Sequence, residues 1–248
     1  KDEDKWLRFI WDEARDKAKD EGFTLPEFDK FWKNGFKEVL SPKKQTILLE
    51  DFRKDPQKNP ISTPSGKIEI FSETVDSFNY QDCPGHPTWL EQKEWLGSNL
   101  TNQYPLQLIS GQPHNRLHSQ LDNGSESQNY KILGREPIKI HPKDAQSRGL
   151  INGDIVEVFN KRGKCLAGVI ISNEVMKGVV FLATGAWYDP INDGDFCIHG
   201  NPNVLTEDIG TSSLAQGPSA HSTLVEIKKF TKELPELNIS HKPSIVNK

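Results

Sequence analysis

The chain has no apolar run near the roughly 20 residues that a bilayer crossing requires, and its mean hydropathy is −0.65, so no membrane span is expected. It also lacks an excess of one charge. Its 31 basic and 35 acidic residues are well mixed and leave a formal charge of −4, which offers no basic face to a nucleic-acid backbone and excludes nucleic acid as the expected partner. Cysteine is scarce: Cys83, Cys165 and Cys197 lie far apart and are odd in number. That argues against a disulfide framework and leaves both cytoplasm and periplasm open. The pairs Cys83 with His86 and Cys197 with His199 lack the coupled CxxC or HxxxH units of a structural zinc site, so no metal ligand is assigned. There is no glycine-rich phosphate loop of Walker or Rossmann type and no G-x-S-x-G elbow, which leaves independent kinase or hydrolase activity unsupported. Internal repeats and low-complexity segments are absent too. A starting methionine is also missing: Lys1 leads straight into a helical pattern, and a piece of a longer polypeptide is expected.

The patterns that are present change along the chain. Trp6, Phe9, Ile10 and Ala14, then Phe28, Phe31 and Trp32 beyond a Leu-Pro break, stand at helical spacing and predict two helices. From Ser41 to about Asn102, six prolines rule out long helices. Irregular connecting structure is expected there, with strand-like character only at Ile47 to Leu49 and Lys67 to Phe71. After Asn102 come six short strand patterns, Pro105–Ser110, Pro137–His141, Asp154–Asn160, Lys164–Ser172, Gly178–Thr184 and Thr223–Phe230, separated by polar turns. Lys161-Arg162-Gly163 closes one hairpin, and Ala145–Arg148 before Gly149 suits a short helix with a glycine end. Strands at this spacing predict a closed or nearly closed barrel. The expected division is 1–102 helical and irregular, 103–231 barrel, and 232–248 a polar tail that hangs loose.

The densest chemistry follows the first strand. Ser110 and Gln112 can hydrogen-bond through their side chains, Gly111 lets backbone approach a ligand, Arg116 can fork onto a phosphate, and His118, Ser119 and Gln120 add three adjacent polar groups. A charge-assisted bond contributes about 1.5–3 kcal/mol against roughly 1 for a neutral one, so Arg116 carries the most weight. In a second stretch, Asn201 and Asn203 can each donate and accept, which suits a heterocycle edge. Both stretches also have plain readings, the first as a solvated surface loop and the second as a turn. Trp187 and Tyr188 fit either a wall near a substrate funnel or ordinary packing. The loops Asn115–Asn129 and Ile191–His199 are expected to be mobile when the chain is isolated.

The strand, single helical turn, Gly-Asp turn and strand of His141 to Val156 resemble the double-psi β-barrel that closes enzymes of the dimethyl sulfoxide reductase family. Further matches occur in the same order. They are Thr63-Pro-Ser-Gly-Lys-Ile-Glu-Ile, Arg116-Leu-His-Ser-Gln, Gly185-Ala-Trp-Tyr-Asp-Pro and Gly200-Asn-Pro-Asn-Val-Leu-Thr-Glu-Asp-Ile-Gly-Thr. Asp82-Cys-Pro-Gly-His-Pro-Thr-Trp resembles most the branch of biotin sulfoxide and trimethylamine N-oxide reductases. The resemblance runs from about Trp6 to Phe230.

It implies a mainly β fold with a helical N-terminal part, the barrel being a molybdopterin dinucleotide-binding domain. It further implies a molybdenum bis(molybdopterin guanine dinucleotide) held jointly with upstream domains of the same polypeptide. An oxygen atom passes from a small S-oxide or N-oxide to the metal, and two electrons and two protons, drawn from an electron-donor redox protein, restore the starting state. The implied cofactor contacts are Ser110, Gly111, Gln112, Pro113, Arg116, His118, Ser119, Gln120, Asn203 and His221, with His114 and Asn115 flanking. His221 stands where relatives often carry Gln. The ligand to molybdenum is expected from an upstream serine, so this fragment alone should not turn over. The polar tail tilts localisation towards the periplasm, with the cytoplasm still open. The competing expectation is a stand-alone double-psi barrel that binds a peptide or protein without redox activity.

Overall fold

The computed structural model describes residues 2–39, 46–191, 196–239 and 241. The chain divides into two compact units, 1–69 and 70–248. In the first, α1 (Glu3–Asp20) is capped by Asp2, whose side chain accepts from the Lys5 amide. Helix α2 (Phe28–Asn34) ends at Gly35 in the left-handed region. Trp11 stacks on Phe31 with ring centroids 3.7 Å apart and donates to the Pro26 carbonyl at 2.9 Å, so the Leu-Pro break folds the two helices together. Beyond α3 (Glu50–Lys54) the strand-like expectation fails. Ile47 to Leu49 and Lys67 to Phe71 form turns, bends and irregular backbone, because among the described residues no neighbouring strand takes up their backbone groups and Ile68 and Ile70 stay exposed.

The second unit opens with the short helix α4 (Glu73–Asp76) and a 3-10 turn at Asn99–Asn102. It then builds β1 (Leu106–Ile109), α5 (Ser125–Tyr130), β2 (Pro137–Ile140), α6 (Pro142–Gln146), β3 (Ile155–Phe159), β4 (Lys164–Ile171), β5 (Val179–Leu182), β6 (Pro190–Ile191), β7 (Phe196–Cys197) and β8 (Leu224–Lys229). The strands pair in the ring β2-β5-β1-β8-β3-β4, and β4 returns to β2. The β1–β5 and β2–β4 joins are parallel and the other four antiparallel. This is a closed six-stranded double-psi barrel, and its six strands are the six expected from the sequence.

Alternation explains the closure. Leu106 and Leu108, Ile138 and Ile140, Val156 and Val158, Ala167 and Val169, Val180 and Leu182, and Val225 and Ile227 all point into one core. Every barrel strand thus contributes residues two apart, the period of a strand with one buried face. Burying such a side chain contributes about 1.5–3 kcal/mol.

Helix α6 starts earlier than expected. His141 caps it by accepting from the Lys143 amide through Nδ1 at 3.2 Å, and Pro142 takes the first helical position. It also ends earlier, at Gln146 with Ser147 as its cap, and Gly149, at φ 63°, closes the following turn by letting Leu150 N donate to Ala145 O at 3.0 Å. The tail differs from expectation. Leu234 and Leu237 pack on Ile155, Leu166, Phe196 and Ile198, and Asn238 N donates to Asp189 Oδ2 at 2.8 Å, so residues 231–239 are docked by burial of apolar surface. Residues 242–248 of the expected loose tail lie outside the described residues.

Candidate functional site

The polar stretch leaves β1 and folds over one end of the barrel. Gly111 O accepts from Thr184 N at 3.0 Å, tying the stretch to the segment after β5. Pro113 is buried, whereas Gln112, His118, Ser119 and Gln120 are exposed. His118 sits at φ 50°, a conformation that a non-glycine residue keeps only when its surroundings hold it. Gln112 is one restraint: its Oε1 accepts from His118 N at 3.0 Å and its Nε2 donates to His118 Nδ1 at 2.7 Å. Gly185 is another, because a Cβ there would stand 1.9 Å from His118 O.

Six of the ten predicted residues line three clefts of the second unit. His118, Ser119 and Asn203 line one of about 420 Å³ together with residues 184–188 and Asn201. Gln112 and Pro113 line a smaller one of about 210 Å³ beside His114, Lys139 and Glu174. His221 faces a third of about 630 Å³ that includes Asp82, Glu94 and Thr211. The structure joins Ser110 to His221, whose Nδ1 accepts from Ser110 N at 3.3 Å. His118 and Ser119 meet Asn203 across more than eighty residues of sequence. Gln120 extends past the isolated bridge between Leu117 and itself and lines none of the three. Asn201 is spent locally, its Oδ1 accepting from Asn203 N at 2.9 Å, which leaves the exposed Asn203 amide facing the 420 Å³ cleft.

Among the described residues that cleft is lined by no carboxylate, lysine or arginine. Its groups are hydroxyls, carboxamides, an imidazole and aromatic rings, a set that suits the edge and face of a neutral heterocycle. Trp187 and Tyr188 do form part of its wall, and Trp187 also anchors it: its indole Nε1 donates to Ser119 O at 2.8 Å.

Arg116 is placed beneath the loop. Its side chain is fully buried, with Nε donating to His118 O at 3.1 Å and Nη2 to Thr184 O at 3.0 Å. The guanidinium also stands 3.3 Å from Asp122 Oδ1 and 3.1 Å from Glu136 Oε1. Lys131 Nζ donates to both carboxylates at 2.9 Å. Two cations therefore meet two anions out of water, and the group is electrically balanced. Asp122, Lys131, Glu136 and the buried His199 were not legible as functional residues, since no periodic pattern marks them. The one usable signal is indirect: a buried Arg needs buried carboxylates. The loop 115–129, expected to be mobile, is thus held from inside by Arg116, Asp122 and Ser127 and carries α5. Of Ile191–His199, residues 196–199 are buried and 192–195 lie outside the described residues.

His199 donates through Nδ1 to the Trp187 carbonyl at 2.9 Å, since a carbonyl can only accept. Burial, and then the Lys131 ammonium, push its imidazole below the ordinary value of 6.5, against the opposing pull of the Trp187 carbonyl, Asp122 and Glu136. The unfolded chain therefore binds this proton more readily than the folded one. The resulting stability is fully present above about pH 6.5 and is lost as the pH falls from there through the lower folded value. Denaturant midpoints at about pH 7.5 and about pH 5.5 should fall on acidification, and His199→Gln should make that fall smaller; an unchanged difference would remove His199 from the cause.

Comparison with known proteins follows the same lines. Residues 106–224 match the family model described as Molydopterin dinucleotide binding domain. The chain is 44% identical to the trimethylamine-N-oxide reductase of Haemophilus influenzae over 99% of its own length and 30% of that protein's. It is 47% identical to trimethylamine-N-oxide reductase 1 of Escherichia coli K12 over 92% of its length and 28% of the relative's. The chain thus spans under a third of these curated relatives. Among solved structures, acetylene hydratase from Pelobacter acetylenicus superposes with a TM-score of 0.58 at 21% identity, covering 71% of this chain and 25% of that one, a likeness of fold.

Proposed function

Residues 106–224 form a domain of the molybdopterin dinucleotide-binding family, and from that premise we propose that the chain is the cofactor-closing part of a molybdenum enzyme that reduces S-oxides or N-oxides. The observation that carries the reading is the uncharged cleft of about 420 Å³ that joins His118 and Ser119 to Asn203. The residues fit a pterin dinucleotide. Asn115 has both amide atoms buried without a partner among the described residues, and a buried carboxamide is stable only when something satisfies it. We assign cofactor contact to Ser110, Gly111, Gln112, Pro113, His118, Ser119, Gln120, Asn203 and His221. Arg116 acts on the same surface from below, through the carbonyls it holds.

When bound, the molybdenum bis(molybdopterin guanine dinucleotide) supplies two-electron exchange of an oxygen atom with the oxide. The chain's share is to orient and enclose that group. His118 and Asn203 offer it hydrogen bonds, Trp187 and Tyr188 give it a flat apolar wall, and the closed barrel beneath keeps these groups from shifting. Among the described residues no three His, Cys, Asp or Glu side chains converge on a point that could hold an ion, and we assign the molybdenum ligand to the remainder of the parent polypeptide. The proposed substrates are trimethylamine N-oxide, biotin sulfoxide or methionine sulfoxide, with electrons from a separate redox protein. No described helix is long and apolar enough to cross a membrane. We place the parent enzyme in the periplasm, which fractionation of osmotic-shock fluid would check.

The deciding experiment is metal and guanine-nucleotide analysis of the full-length parent, followed by oxide-dependent oxidation of a reduced viologen dye. Molybdenum, guanine nucleotide and turnover together are expected. Their absence from properly matured protein would overturn the reading and leave a barrel that binds a peptide or protein.

A further inference from the structure

We propose that Asp122 is a positioning residue that holds the two walls of the 420 Å³ cleft at a set separation. The inference rests on the reading of that cleft as a cofactor site. One wall is His118 and Ser119 and the other is residues 184–188. Asp122 lines neither, yet its fully buried carboxylate engages both. Oδ1 accepts from Lys131 Nζ at 2.9 Å and stands 3.3 Å from Arg116 Nε, the nitrogen that donates to His118 O. Oδ2 accepts from the Trp187 amide at 3.3 Å. The rest of the residue is fixed as well: Asp122 O accepts from Gln128 Nε2 at 2.8 Å, which ties it to α5.

The charge is what makes the clamp hold. A carboxylate can accept from Arg116, Lys131 and the Trp187 amide together, and such bonds are about twice as strong as neutral ones. An amide of the same shape has one accepting oxygen and turns an N–H towards either a cation or the Trp187 N–H. Asp122→Asn therefore leaves two buried cations facing Glu136 alone and releases at least one wall. The apolar interior of the barrel does not include Asp122 and remains packed. What changes is the spacing of His118 and Ser119 from Trp187, and with it the grip on any ligand between them.

The test uses the parent enzyme with Asp122→Asn, Trp187→Phe and a control, Asp144→Asn. Trp187→Phe keeps the backbone donor but loses the indole bond to Ser119 O. Asp144 is buried and accepts from Gly178 N at 2.7 Å, but lines none of the three clefts, so its loss weakens folding without touching either wall. Hydrogen exchange, which needs no ligand, is expected to accelerate about tenfold or more at residues 116–122 and 185–188 in Asp122→Asn. Exchange in β3 and β4 should stay as in the unmodified enzyme, and Asp144→Asn should leave both walls unchanged.

Guanine nucleotide retained through dialysis is the second readout. It should be lost about tenfold faster from Asp122→Asn and Trp187→Phe than from Asp144→Asn. Wild-type wall exchange in Asp122→Asn, or equal nucleotide loss from all three variants, would overturn the proposal. If Asp122→Asn does not fold, Asp122→Glu, which keeps the charge but shifts the carboxylate from the Trp187 amide and Arg116, decides it, wild-type wall exchange counting against. An unmodified parent without guanine nucleotide would instead sink the cofactor reading, while exchange would still judge the clamp.

Discussion

Lys131→Met is expected to lower folding stability by about 3–5 kcal/mol, the usual loss when one partner of a buried ion cluster is removed. Its ammonium bridges Asp122 and Glu136 at 2.9 Å each, with all three side chains fully buried. Without it, two carboxylates share one guanidinium out of water. Charge balance returns in the double variant Lys131→Met with Glu136→Gln, which leaves Arg116 paired with Asp122. The double variant should therefore be more stable than the Lys131 single variant, a coupling that denaturant midpoints of the two singles and the double would measure. A single variant within about 1 kcal/mol of wild type would mean that water reaches the cluster.

Gly185→Ala should be comparably damaging and more local. Gly185 lies at φ 92°, and a Cβ there would meet His118 O at 1.9 Å and Ser119 N at 2.9 Å. Neither obstacle is a flexible side-chain end, so the loop itself must move. Backbone strain and overpacking together cost about 3 kcal/mol, and the moving part is the one that presents His118 and Ser119. A fall in melting temperature accompanied by loss of bound guanine nucleotide from the parent is expected. A stable variant with full nucleotide content would show that His118 O has room to give way.

The barrel strands were legible because each repeats its buried residues at every second position over at least four residues. The two-residue strands β6 and β7 were not, since two residues carry no period. They exist because Cys197 pairs with Cys165 on β4 and Pro190 with Cys197, partners that only the closed barrel supplies. The failure at Lys67 to Phe71 has the converse cause: alternation was present, but among the described residues no strand lay beside it. Of the candidate site, the polar types at Ser110 to Gln120 and at Asn203 were visible, but their distribution among three clefts was not.

Alternation, turn residues and the Gly149 signal therefore determined by themselves that six strands and a short helix before Gly149 form, because strand and turn preferences act between residues a few positions apart. Only the tertiary structure decided where Arg116 points. Its carboxylate partners at Asp122 and Glu136 and its carbonyl acceptor at Thr184 lie 6, 20 and 68 residues away. Exclusion of water from that cluster, which turns a polar loop residue into an internal strut, comes into being only when the barrel closes.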